Sequence, residues 1–405
     1  MSKPSSGAPS ATEETAAPYP NMDFCQKMHC AIHLPHQESL QVELFNQIAA
    51  ELENPSLYRH LRDAISGSMQ TGASPALLTE DGLKAMENKL AAELEELERK
   101  VEEAKESAGD MEVMDARLEI ARFAAKSLSE AEALEAYQKV IDLPKLSSGK
   151  KIDALMESAR VASFYGDSKK ADHFIEQADK LANEGSGGDW DRRNRLKVYK
   201  GLQFMLHRDM EAASKLLLDC IATFTCNEIC TYSDFIVYAI LTNMLHLPRP
   251  GLKKHIIDGP EIISVATEIP QVINLVRAFY DCDYKSYLRS MVEVEAVLMK
   301  DRYLHPHAAF WMRELHILAY KQFLDSYQSV TLQALADAFG VSPDFVDYHA
   351  SRFIASNRLS AKIDKYGGVI VTNRPDLKNA QYREMIQKGD LLLNRIQKLA
   401  RVVDV

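Results

Sequence analysis

Apolar residues recur at steps of three and four along most of this chain, the spacing of amphipathic helices. Leu83, Met86, Leu90, Leu94, Leu97 and Val101 form one such stripe and predict a single long helix from a Thr79 cap to about Ala108. Short amphipathic helices are expected over residues 21–65, broken near Pro35 and Pro55, with a loop over 67–75. More helices follow the glycine cluster Gly185-Ser-Gly-Gly188 up to about Tyr327, with breaks at Pro248, Pro250, Pro260 and Pro270.

The period changes only near the C-terminal end. Leu332, Leu335, Ala336 and Phe339 share one helix face, and Gly340 stops that helix. Ser342 caps a second helix with Pro343 at its first position, a favoured place for proline. After Asn357 the step becomes two, through Leu359, Ala361 and Ile363. Tyr366-Gly367-Gly368 turns the chain, and Val369 to Thr372 returns as a partner strand. Helix, turn, helix and hairpin in this order predict a winged helix.

Beyond Pro375, Met385, Gly389, Leu392, Ile396, Leu399 and Val403 step by four and three in a heptad seam. Ile386, Leu393 and Ala400 widen the apolar face. Such a face could fold back on its own solenoid, but the strict seven-residue step favours a bundle with other helices.

A degenerate repeat lies between Met111 and Cys220. A small residue is followed twelve, sixteen and nineteen positions later by residues suited to close helix packing: Ala121 by Ala133, Tyr137 and Val140; Ala159 by Ala171, Ile175 and Ala178; Gly201 by Ala213, Leu217 and Cys220. These are the offsets of a tetratricopeptide-type hairpin, whose small residue lets two helices approach. The fold expected is therefore mostly α: a tetratricopeptide-like solenoid, a winged helix and a C-terminal helix. Its parts are a disordered tail (1–20), N-terminal helices (21–78), the long helix and repeats (79–186), a further helical region (187–328), the winged helix (329–375) and the final helix (376–405).

Composition and charge narrow the function. No apolar run is long enough to span a membrane, and no apolar core follows the first Met, so neither insertion nor secretion is expected. Six cysteines without framework spacing predict free thiols. A formal charge of -10 argues against a nucleic-acid coat. The winged helix is hardly basic: Arg352, Arg358, Lys362, Lys365 and Arg374 face Asp337, Asp344, Asp347 and Asp364, and two of those acids open the would-be reading helix. The densest basic run, Arg192, Arg193, Arg195, Lys197 and Lys200, has only Tyr199 interleaved, so pairing with neighbouring acids, or with the acidic long helix of this chain or another, is favoured over RNA contact. The long helix carries ten acids against five bases and reads as a solvated outer face, with an acidic docking arm as the minor alternative.

Candidate chemistry is sparse. Cys25, His29, Cys30, His33 and His36 cluster, with Cys25, His29 and His33 on one helix face; structural zinc usually joins two separate loops or hairpins, so no metal is expected here. His305-Pro-His307 echoes the H-x-H of metal-dependent isopeptidases, but the Ser and Asp such a site needs would fall at the apolar Leu315 and Leu318. Gly149-Lys150 lacks the earlier Gly and the following Ser or Thr of a phosphate loop, and Gly185-Ser-Gly-Gly188 follows a helix rather than a strand. No nucleophile is paired with an ordered base. No enzyme and no cofactor are expected.

Helical repeats running into a winged helix resemble the PCI proteins, named for the proteasome lid, the COP9 signalosome and a translation initiation factor. Specific motifs are similar to those of one lid-subunit type: G-G-D-W-D-R-R-N-R-L-K-V-Y-K-G (Gly187–Gly201), A-T-F-T (Ala222–Thr225), Phe339-Gly340-Val341, S-R-F-I-A (Ser351–Ala355), K-I-D-K (Lys362–Lys365), T-N-R-P-D (Thr372–Asp376) and K-G-D-L-L-L-N-R-I-Q-K-L (Lys388–Leu399). The resemblance implies a non-catalytic scaffold of the cytoplasm and nucleus. Its implied partners are other lid PCI subunits, the lid deubiquitinase and the proteasome base. It also implies interface residues: Gly367, Gly368, Val369 and Val371 in the wing, and Met385, Gly389, Leu392, Ile396, Leu399 and Val403 in a shared helical bundle. A COP9 signalosome scaffold is the alternative, and a winged-helix nucleic-acid binder a more distant one.

Overall fold

A computed structural model describes residues 19–34, 38–68, 80–107, 109–144, 146–184, 189–373 and 377–403. These residues are mostly helical, and they divide into two compact units: residues 1–273 with 294–308, and residues 274–293 with 309–405. Thr79, His36 and the 185–188 glycine cluster lie outside the described residues.

The first unit begins with α1 (Met22–His33), α2 (Glu38–Gln47), which continues as a wider turn over Ile48–Leu52, and α3 (Pro55–Ser68). Gly67 and Ser68 thus belong to α3, and the rest of the expected loop lies outside the described residues. Phe24, Met28, Leu44, Ile48, Leu57, Tyr58 and Leu61 form its core, joined by Leu83 of the long helix α4 (Glu80–Ser107). The α4 stripe is buried at Leu83, Leu90 and Val101 and half-buried between them, while most of its acids face outward as expected.

Three helical hairpins follow: α5 (Asp110–Ser127) with α6 (Glu130–Ile141), α7 (Ser148–Tyr165) with α8 (Ser168–Glu184), and α9 (Trp190–Leu206) with α10 (Met210–Cys220). In each, the small repeat residue sits on the first helix and its three followers on the second, and every one of these positions is buried. At Gly201 the approach is closest, since a Cβ there would lie 2.8 Å from Leu217 Cδ2. Local signals start the helices: Ser129 and Glu132 close a reciprocal cap on α6, and Ser147, Asp189 and Asp209 accept backbone N–H bonds at the starts of α7, α9 and α10. Beyond them lie α11 (Tyr232–His246), α12 (Arg249–Leu252), α13 (Pro260–Val265) and α14 (Pro270–Asp281). Pro260 and Pro270 open helices rather than merely interrupting them, because a first-turn N–H has no intrahelical partner to lose.

After α15 (Tyr284–Lys300) and α16 (Ala308–Leu324), the second unit runs β1 (Ser329–Thr331), α17 (Leu332–Phe339), α18 (Pro343–Ala355), β2 (Ala361–Asp364), β3 (Val369–Thr372) and α19 (Leu377–Val403). Phe339 stacks on Tyr284 at 4.8 Å and packs against Tyr320 and Phe323, and Tyr320 meets Phe353, so one aromatic core joins α16, α17 and α18. Thr331 and Ser342 cap α17 and α18, and Gly340 adopts φ +67° between them, a conformation that favours glycine. The sheet is antiparallel in the order β1-β3-β2. The sequence pattern predicted β2 and β3 but not β1. Three residues cannot display a period of two, and their partner strand lies some forty positions onward.

Candidate interaction surfaces

Turn chemistry builds the β2–β3 hairpin. Asp364 pairs with Val369 across the Lys365–Gly368 turn, and Asp364 Oδ1 accepts the Tyr366 backbone N–H at 3.0 Å. A Cβ on Gly367 would lie 2.8 Å from Asp364 Oδ2, and Gly368 adopts φ +62°. Both positions therefore favour glycine. Ile370 is fully buried, Val369 half-buried and Val371 exposed, the alternation of a strand with one face on a core. Since β3 is central, β2 is an edge strand among the described residues, and the fully exposed Tyr366 ring stands at the tip.

Helix α19 carries more exposed large apolar side chains than any other described helix. It is about 40 Å long at 1.5 Å per residue. Met385, Leu392, Ile396 and Leu399 along its seam are 57–68% exposed. Gly389 is exposed among them, and Ile386, Leu391, Leu393 and Val402 flank the seam in water. Val403 ends the helix; its side chain lies outside the described set. Burying each large aliphatic of this face would be worth roughly 1.5–3 kcal/mol.

The basic run on α9 is consumed internally. Arg192 pairs with Asp153 at 2.7 Å, Arg195 with Glu228 at 2.6 Å, Lys197 with Asp219 at 3.9 Å and Lys200 with Asp179, while Arg193 donates to the Ala182 carbonyl at 3.2 Å. Guanidinium and carboxylate satisfied within one unit leave little charge for phosphate. On α18, Asp347 holds Lys365 at 3.0 Å, so one base of the hairpin is neutralised too. Gly149 sits in the first turn of α7, packed on the Arg192 guanidinium.

The two histidine motifs meet. On α1, Cys25 is buried with its thiol between the Phe164 carbonyl and the Arg302 guanidinium, and burial pushes its pKa up. Cys30 and Gln26 both donate to the Lys300 carbonyl, at 3.2 and 3.0 Å, and Gln26 accepts the Arg302 N–H at 3.1 Å. That clamp brings His305 against His29 and His33, with each ring centroid 4.9 Å away, while His29 and His33 are 4.5 Å apart. His307 instead reaches the Leu206 carbonyl at 2.6 Å and accepts from Arg208 at 3.0 Å. Nothing in the sequence joined His305 to a helix some 270 positions earlier. Leu315 is buried in α16, which leaves no isopeptidase ligand there.

No described helix is long and apolar enough to cross a membrane. Comparison with known families matches residues 79–255 to the 26S proteasome subunit RPN7, residues 284–374 to the PCI domain, and residues 381–403 to the RPN7/PSMD6 C-terminal helix of the 26S proteasome regulatory subunit. The chain is 43% identical to the 26S proteasome non-ATPase regulatory subunit 6 homolog of Arabidopsis thaliana, over 80% of this chain and 83% of that protein. Identity to the rice (Oryza sativa subsp. japonica) 26S proteasome non-ATPase regulatory subunit 6 is 38% over 95% and 97% of the two chains. The Arabidopsis COP9 signalosome complex subunit 1 is more distant, 25% identical over 48% of this chain and 45% of that protein. The apolar face of α19 lies within the matched C-terminal helix, and the hairpin within the matched PCI domain. The chain belongs to the family of 26S proteasome non-ATPase regulatory subunit 6.

Proposed function

We infer that this chain is a non-catalytic scaffold subunit of the regulatory-particle lid of the 26S proteasome, supporting lid assembly and ubiquitin-dependent degradation. The observation that carries this is the exposed seam of α19, which has no purpose in an isolated chain and is the part matched to the family's C-terminal helix. The long helix and the α5–α10 hairpins are read as a tetratricopeptide-like solenoid, with 79–186 holding the long helix and first repeats and 187–328 the further helices that continue it. The elements of 329–375 are read as a winged helix. The buried repeat positions support the first reading, and the order β1-α17-α18-β2-β3 supports the second.

In this reading Gly367, Gly368, Val369 and Val371 meet a neighbouring PCI subunit, with main-chain groups of the edge strand available for pairing. Met385, Gly389, Leu392, Ile396, Leu399 and Val403 enter a helical bundle with sibling subunits. Separate modest contacts on one chain multiply in effect, because each raises the effective concentration of the next. The lid deubiquitinase and the base are the further partners, in cytoplasm and nucleus, and ubiquitin removal and ATP hydrolysis belong to them.

Leu392→Asp and Ile396→Asp test this. Both side chains are already exposed, so the free chain should keep its helical content and melting temperature. Its incorporation into lid particles, followed on native gels, should fall by at least tenfold, since a carboxylate buried in an apolar seam costs several kcal/mol. Full incorporation of both variants would overturn the proposal.

A further inference from the structure

His29, His33 and His305 converge without an established role. His29 and His33 are one helical turn apart on α1, and His305 opens the short turn before α16. One ring nitrogen from each lies within 4.8 Å of the other two. His29 Nδ1 is buried and has no hydrogen-bond partner, an atom that would otherwise lose its water without compensation. All three residues belong to the same compact unit.

We propose that His29, His33 and His305 form a binding site for a divalent transition ion, Zn2+ by its nitrogen-only donor set, that staples α1 to the turn at His305.

Three imidazoles are a sufficient protein contribution for zinc, leaving a fourth position for water. Tetrahedral coordination at 2.0–2.1 Å places ligand nitrogens about 3.3 Å apart. The present spacing therefore has at most about 1.5 Å to close, within reach of rotation of the three side chains. The backbone is already held, because Gln26, Cys30 and Arg302 tie α1 to residues 300–302 beside the rings. The sequence objection to zinc was that α1 alone offers only one local segment; the fold supplies the second from the far side of the chain. An ion there would bind the folded form and not the unfolded one, and so would raise stability by linkage.

The test uses the full-length, untagged chain stripped of metal. Zn2+ is added with isothermal titration and thermal unfolding as readouts, and Co2+ serves as a spectroscopic probe of tetrahedral nitrogen coordination. The expected result is one ion per chain at micromolar or tighter affinity, an intense tetrahedral Co2+ spectrum and a rise in Tm. His305→Ala and His33→Ala should each weaken binding by more than the roughly ten- to hundredfold lost with an outer-shell partner. His173→Ala, on α8, should leave binding unchanged. Both ligand variants keep metal-free circular dichroism if folded, and His33 is exposed, so its truncation carries little risk to the fold. Absence of stoichiometric binding, or binding that survives in both His305→Ala and His33→Ala, would overturn the assignment.

Discussion

At Gly201 two opposing effects of similar size meet. Alanine in place of a helical glycine gains roughly 0.8–1.0 kcal/mol in propensity. A Cβ here, however, lies 2.8 Å from Cδ2 of a wholly buried Leu217, and overpacking a filled core costs about 1–3 kcal/mol. Gly201→Val removes the propensity gain and adds two more methyl groups, so it is expected to destabilise the first unit by about 2–3 kcal/mol. A urea denaturation midpoint unchanged from the parent would refute that. Small residues at Ala121, Ala159 and Gly201 were legible in the sequence because close helix approach leaves no alternative to them. The triad of His29, His33 and His305 was not, since only the clamp of α1 on the Lys300 carbonyl brings the third ring in.

Among whole elements, α9 shows how a charged pattern can mislead. Its bases resemble a nucleic-acid strip, yet each is spent on an acid or a carbonyl of its own unit. Arg195 and Glu228 are the most enclosed of these pairs, with side chains 15% and 6% exposed. Removing one partner strands the other, so Arg195→Met should cost about 3 kcal/mol. Arg195→Met with Glu228→Leu should recover much of that loss, and a double-mutant cycle on thermal melts measures the coupling. Additive losses would mean that the pair does not act as one. Cap residues made α17 and α18 readable residue by residue, whereas β1 existed only once β3 was available to pair with it.

For the molecule as a whole, the contrast lies between units with filled cores and α19, whose described side chains are exposed. Amides of α19 should exchange quickly in the free chain, because the described side chains of this helix are exposed and little packing backs its hydrogen bonds, and should become protected by at least a hundredfold inside the particle. Hydrogen exchange on free and assembled protein reads this directly; equal protection in both would show that α19 folds back on its own chain. The sequence by itself determined the helical class, the capped boundaries, the repeat positions and the heptad seam. Each of these is a local or periodic property, expressed within a few turns of chain. Tertiary structure alone decided that the α9 bases are neutralised, that β1 completes a sheet and that three histidines share one spot. Those facts depend on which distant segments become neighbours, and no periodicity along the chain encodes that.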